Sequence, residues 1–183
     1  MFILANLMAL LASLGVITVL AAFSGLCYVA YRAQRSPTAH LDDFWFGFRK
    51  YFWQGLLITG LNVLFFGVLI VNIQFFSEQQ GGLFDLLRAL WFGAAFIWIT
   101  VQLYLFPMLE AMETPNLWRA FQNALVMIAA NPLFTFTLWL ILLIILAISV
   151  LAVVPIVLVT PSVIASILSA AVIDRLEAAT TRI

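Results

Sequence analysis

Residues 2–31 form one continuous apolar run that contains no charged side chain. If the whole run were one helix, it would be about 45 Å long at roughly 1.5 Å per residue. The hydrocarbon core of a bilayer is only about 30 Å thick, so such a helix must tilt, protrude or break, and we expect a kink near Gly15. A run of this kind predicts that the chain crosses a membrane.

The composition supports a membrane environment for the whole chain. Of its 183 residues, 66% are hydrophobic and 9% are charged, and the mean hydropathy is +1.16. A soluble domain has about 25% charged residues, so this chain lacks the polar side chains that a water-facing surface needs. The formal net charge is zero, which argues against nucleic-acid binding and against strong attraction to acidic lipid.

Successive apolar runs predict an all-α integral membrane helical bundle of about five transmembrane helices. We expect a single transmembrane domain over residues 1–183, because so short a chain leaves no room for an extramembrane domain. Pro155 and Pro161 are expected to bracket the turn before the last span. The predicted spans cover residues 2–31, 55–76, 86–108, 132–153 and 156–173.

The segment QLYLFPMLEAMETPNLWRAFQNALVMIAANPLFTF, residues 102–136, joins the third and fourth predicted spans. Pro107 and Pro132 predict bends in the chain, and Thr114 followed by Pro115 predicts a helix start. The helix predicted over 115–130 has one apolar and one polar face, so we expect it to lie along the membrane interface. Aromatic and polar side chains here and on the first interfacial helix form a candidate partner-docking elbow: Trp45, Trp118, Arg119, Gln122 and Asn123.

A first interfacial helix is predicted over residues 43–54, after a polar loop in which Asp42 or Asp43 is a good N-cap. On a helix, Trp45, Phe48 and Phe52 share one face, whereas Asp43, Lys50 and Gln54 share another. This pattern is typical of an amphipathic helix at the membrane surface. The same residues also fit the aromatic end of the next span, and the sequence leaves both interpretations open.

The distribution of basic residues predicts the orientation of the bundle. With five spans, only Arg88 lies near one side, and all other basic residues lie on the opposite side. The positive-inside rule then places the N-terminus outside and the C-terminus in the cytoplasm, with both interfacial helices on the cytoplasmic side. The residues on the predicted cytoplasmic side are Arg32, Arg35, Arg49, Lys50, Arg119, Arg175 and Arg182.

No chemical site is evident in the sequence. No ionisable residue falls near the middle of a predicted span, where catalytic or ion-coupling groups are usually found. Cys27 and His40 are the only residues of their types and lack metal-ligand neighbours, and Glu110 and Glu113 are expected to be solvated. We therefore predict no catalytic, cofactor or metal site. The uncharged polar residues expected in the bundle interior are Asn62, Thr100 and Gln102.

Three segments resemble the YesL-like family of small bacterial membrane proteins of unknown function. They are SLGVITVLAAFSGLCYVAYR (13–32), DFWFGFRKYF (43–52) and the run from LYLFP to NPLFTF (103–136), in the same order. The resemblance implies a multi-pass protein of the bacterial cytoplasmic membrane. Because members of that family are often encoded beside carbohydrate uptake systems, it also implies an accessory role in uptake or sensing.

The sequence and the resemblance together suggest two functions of different classes. The first is a non-catalytic accessory or scaffold protein in the lipid bilayer, with a membrane partner such as a sugar permease. The second is a transporter or channel component for a small neutral solute, with Asn62, Thr100 and Gln102 along the path and oligomerisation to form a pore. An intramembrane enzyme is disfavoured because the sequence offers no nucleophile with a base partner.

Overall fold

The computed structural model describes residues 2–13, 18–36, 40–151 and 159–180, and the regular structure within these residues is entirely α-helical. Eight helices are present in this part of the chain: α1 Phe2–Ala12, α2 Val19–Arg35, α3 Asp42–Lys50, α4 Phe52–Ser77, α5 Gly82–Ala111, α6 Leu117–Ala130, α7 Pro132–Leu151 and α8 Thr160–Thr180. The prediction of an all-α fold is confirmed.

Three helices are long and apolar enough to cross a membrane: α4, α5 and the Pro132–Ser149 part of α7. At about 1.5 Å per residue, α4 and α5 are about 39 and 45 Å long and exceed the hydrocarbon thickness. Leucine side chains such as Leu64 on α4 and Leu133 on α7 are exposed, and lipid is the solvent that accommodates them. These helices indicate a membrane protein.

The helix α2 lies at the centre of the bundle. It packs against α1, α3, α4, α5 and α8, and eight of its 17 residues are buried. The span predicted over residues 2–31 contains two helices, since α1 ends at Ala12 and α2 begins at Val19. The kink predicted near Gly15 lies outside the described residues. A helix surrounded by protein does not need the length of a lipid-facing span.

Three glycines allow other helices to approach α2 closely. A Cβ atom added at Gly47 of α3 would lie 2.4 Å from Cβ of Tyr28, and one at Gly25 would lie 2.9 Å from the Phe44 ring. On α4, a Cβ atom at Gly55 would lie 2.7 Å from the backbone nitrogen of Ala21. Because no side chain separates the helices at these points, α3 is held directly against α2.

Several predicted helix ends differ from the structure. Residues 43–54 are not one helix, because α3 ends at Lys50 and α4 begins at Phe52. Pro107 does not bend the chain out of its helix, since α5 continues through it to Ala111. The predicted cap at Thr114 is also wrong: Asn116 caps α6 by accepting a hydrogen bond from the Arg119 backbone N–H.

The last two helices begin close to their predicted positions. The helix α7 starts at Pro132, where a missing N–H does no harm. The predicted last span, 156–173, corresponds to α8, which begins at Thr160 and includes Asp174, Arg175 and Glu177 near its end. The predicted turn at Pro155 lies outside the described residues, whereas Pro161 is the second residue of α8.

Candidate functional site

The charged residues of the described chain gather mainly at one end of the bundle. At this end, which we call the basic end, α2, α5 and α8 finish and α4 and α7 begin. Arg35 at the end of α2 lies 4.0 Å from Glu177 of α8, and the Arg175 guanidinium lies 4.0 Å from the centre of the Phe134 ring on α7. Arg88, which pairs with Asp85, lies near the opposite end of α5.

An ion pair between partly exposed Arg32 and buried Asp43 joins α2 to α3 at the basic end. Arg32 donates a hydrogen bond to Asp43, and the Asp43 side chain is almost fully buried. The second carboxylate oxygen of Asp43 accepts a hydrogen bond from the His40 backbone N–H at 2.8 Å. The prediction that Asp43 lies on the polar face of the helix is therefore wrong. The buried face of α3 consists of Asp43, Phe44 and Gly47.

A second ion pair joins α3 to the end of α5. Lys50 Nζ lies 3.3 Å from Glu110 Oε2, and the ammonium group is also close to the rings of Tyr28 and Tyr51, 5.3 and 4.7 Å from their centres. The Glu110 side chain is buried, contrary to the prediction that it is solvated. Its Oε1 atom accepts no hydrogen bond from the described residues.

Tyr51 lies beside this pair, at the junction of α3 and α4, and its side chain is buried. Its hydroxyl group donates to the carbonyl of Leu109 at 3.4 Å. Burial raises the pKa of Tyr51 well above its ordinary value, and the neighbouring Glu110 carboxylate raises this pKa further. The phenol therefore stays protonated and remains a donor across the physiological range.

Two of the three polar residues expected in the bundle interior lie together between α4 and α5. Asn62 Nδ2 donates to Gln102 Oε1, and Gln102 Nε2 donates back to Asn62 Oδ1, both at 2.8 Å. Trp98 Nε1 also donates to Asn62 Oδ1, at 2.7 Å. The two amides thus serve as each other's hydrogen-bond partners, as is usual for uncharged polar groups inside a helical bundle.

The third residue, Thr100, lies apart from this amide cluster on another face of α5. Its hydroxyl group donates to the Phe96 carbonyl at 2.7 Å and accepts from Trp139 Nε1 of α7 at 3.0 Å. The structure therefore does not bring Thr100 together with Asn62 and Gln102. Instead, Thr100 links α5 to α7.

The residues of the predicted docking elbow lie on two helices. Trp45 is exposed on α3, beside exposed Phe46 and Arg49. The other four residues lie on α6 and are also exposed: Trp118, Arg119, Gln122 and Asn123. Neither Arg49 nor Arg119 forms an ion pair within the parts of the chain that the structure describes. Both helices thus present aromatic and unpaired basic groups at the basic end.

An apolar cleft of about 380 Å³ lies between α4, α5 and α6. Its walls include side chains from each helix: Leu57 and Leu61, Trp98 and Leu105, Trp118 and Phe121. Gln102 also lines it and is the only residue there with an amide side chain. The cleft lies directly beside the amide cluster.

The sequence did not predict the pairing of Lys50 with Glu110 at the basic end. Lys50 and Glu110 are 60 positions apart, and no local pattern links them. The only available signal was that Glu110 follows a long apolar run, at a depth where a carboxylate needs a partner. Glu113, which was considered with Glu110, is exposed in the connection between α5 and α6.

Comparison with known proteins gives one match. Residues 2–73, which include α1 to α3 and most of α4, are similar to a family described as "Protein of unknown function, DUF624". No curated protein and no solved structure matches the chain. The matched region is similar to an uncharacterised family, and it contains Asn62 but neither Gln102 nor α6.

Proposed function

We propose that this chain is a non-catalytic accessory or scaffold subunit of the bacterial cytoplasmic membrane, which docks a membrane partner such as a sugar permease through its basic end. The link to carbohydrate uptake or sensing comes from the resemblance to the YesL-like family. The similarity of residues 2–73 to a family of unknown function is compatible with that resemblance.

One observation carries the choice of an accessory role over transport: the polar groups between the spans bind one another. Asn62 and Gln102 exchange two hydrogen bonds, and Thr100 is bonded to Phe96 and Trp139. A path for a neutral solute needs donors and acceptors that face the solute. In contrast, exposed aromatic and basic groups on α3 and α6 are available to a partner, and such groups are enriched at protein interfaces.

The alternative is a transporter or channel component for a small neutral solute, which acts as an oligomer. Gln102 favours it, because this residue lines the cleft between α4 and α6 as well as binding Asn62. The remaining walls of the cleft are apolar, so they offer a sugar few hydrogen bonds. We therefore rank transport second.

We further propose five membrane crossings, with the basic end in the cytoplasm and the N-terminus outside. Together α1 and α2 would make the first crossing and α8 the last. The gathering of basic residues at one end supports this orientation, since such residues remain on the cytoplasmic side. Cysteines placed at exposed Gln79 and Asn116 of a Cys27→Ala variant should be labelled from outside and from inside, respectively. The reverse pattern would contradict the orientation.

Affinity purification from native membranes, followed by mass spectrometry, tests the accessory role. A sugar permease should co-purify with the wild-type chain and be lost from a variant with Trp45→Ala, Gln122→Ala and Asn123→Ala. A matched control changes exposed Glu78 and Gln79 to Ala at the opposite end, and it should retain the permease. Sugar uptake by liposomes that contain this protein alone, abolished by Asn62→Leu, would instead favour transport.

A further inference from the structure

We propose that the cleft between α4, α5 and α6 is a phospholipid site, which holds one acyl chain and places the lipid phosphate at Arg119. Its volume of about 380 Å³ falls within the range of roughly 300–1,000 Å³ that is typical of small-ligand sites. This proposal does not depend on the accessory role, because a lipid can occupy the cleft whether or not a partner docks.

The chemistry of the walls selects an apolar occupant. Leucine and aromatic side chains form most of the surface, and two of its polar groups are already bonded: Trp98 Nε1 donates to Asn62 and the Gln102 amide pairs with the same residue. A polar ligand would lose its own hydration without gaining hydrogen bonds. An acyl chain has no such cost.

The position of the cleft suits a chain that enters from the membrane interface. At about 1.5 Å per residue, Leu61 lies about 14 Å along α4 from its start, and Trp98 lies about 20 Å from the end of α5. Both distances are measured from the basic end, and Trp118 and Phe121 of α6 close the cleft over this depth. The cleft therefore reaches from the interface into the hydrocarbon region.

Charge complementarity identifies the headgroup end of the ligand. Arg119 directly follows Trp118, which lines the cleft, and its side chain is exposed. Within the described part of the chain no carboxylate pairs with Arg119. A guanidinium group at this level binds a phosphate through two parallel hydrogen bonds, and a tryptophan ring favours the same interfacial depth.

Native mass spectrometry of the purified full chain with added phosphatidylglycerol tests the site. One lipid per chain should survive activation, and Leu61→Trp, which fills the cleft, should weaken its retention about tenfold. Leu64→Trp is the matched control, because Leu64 lies on the same helix, is 65% exposed and does not line the cleft. This variant should retain the lipid. Thermal unfolding of both variants checks that they are folded.

A second pair of variants tests the headgroup contact without altering the cleft. Arg119→Gln should weaken retention, whereas Arg49→Gln, which removes another exposed arginine at the basic end, should not. Equal retention by all four variants and the wild type would overturn the proposal. A protein dimer that Leu61→Trp dissociates, with no lipid bound to the monomer, would also overturn it, because a second copy would then occupy the cleft.

Discussion

Lys50 Nζ lies 3.3 Å from Glu110 Oε2, with the lysine side chain 34% exposed and the glutamate side chain only 3% exposed. The two residues belong to α3 and α5, so this pair connects α3 to the end of a candidate span. The pair is asymmetric. Removal of the lysine leaves a buried charge, whereas removal of the glutamate charge leaves a lysine that water can reach.

The asymmetry predicts unequal effects of substitution. Lys50→Met should destabilise the protein by about 3–5 kcal/mol, because the Glu110 carboxylate loses its counter-charge. Glu110→Gln should cost much less, and the double variant should be more stable than Lys50→Met alone. Chemical unfolding in detergent measures all three. Additive losses in the double variant would show that the two side chains do not interact.

The contact between α2 and α3 depends on Gly47. Gly47→Ala should destabilise the protein by about 1–3 kcal/mol, because the new Cβ would lie 2.4 Å from Cβ of Tyr28. Gly60 of α4 is a matched control, since a Cβ there meets no atom within 4 Å. Gly60→Ala should be neutral or stabilising by about 0.5–1 kcal/mol through helix propensity. The two variants are compared by their thermal unfolding midpoints, and equal midpoints would contradict close packing at Gly47.

The amide cluster should contribute to the association of α4 with α5. Asn62→Leu removes the acceptor used by Gln102 and Trp98 and should cost about 0.6–2 kcal/mol. Asn72→Leu is the control and should change stability little, because the Asn72 amide donates to the Val68 carbonyl of its own helix. The Asn62→Leu, Gln102→Leu double variant should be little less stable than Asn62→Leu alone. If its loss of stability equals the sum of the two single losses, the hydrogen bonds between the two amides are not the source of the effect.

The two faces of α6 should differ in their tolerance of charge. Phe121→Asp should destabilise the protein by about 2 kcal/mol or more, because the centre of the Phe121 ring lies 5.9 Å from that of Trp118 and 6.1 Å from that of Trp98. Gln122→Asp should be nearly neutral, since Gln122 is exposed. Thermal unfolding in detergent distinguishes the two, and similar losses would mean that α6 is buried on both faces.

The buried phenol of Tyr51 predicts a loss of stability in alkali. Its pKa is raised in the folded protein, so its contribution is complete below about pH 10, the pKa of a free phenol, and declines as the pH rises above that value. Tyr51→Phe should therefore lose less stability than the wild type between about pH 8 and 11. Stability of both proteins is measured by chemical unfolding at each pH, and equal losses would contradict the prediction.

Local composition by itself determined the helical class of this protein and its membrane environment. Apolar runs longer than the bilayer core predicted α4, α5 and α7, because the backbone in lipid must satisfy its own hydrogen bonds within each segment. The order of these runs also predicted that the basic residues gather at one end, since one span separates Arg88 from the basic residues before it and another separates it from those after it. The span predicted over 132–153 likewise begins where α7 begins, at Pro132.

Tertiary structure alone decided which polar groups are buried and which helix is central. Asn62 and Gln102 are 40 positions apart, and Lys50 and Glu110 are 60 apart, so hydropathy along the chain carries no signal of either pairing. The same limit explains the error at Asp43, whose partner Arg32 lies on another helix. It also explains why the sequence did not identify α2 as the central helix, which is surrounded by protein instead of lipid. Burial among helices depends on contacts between distant residues, whereas membrane insertion depends on the composition of each segment.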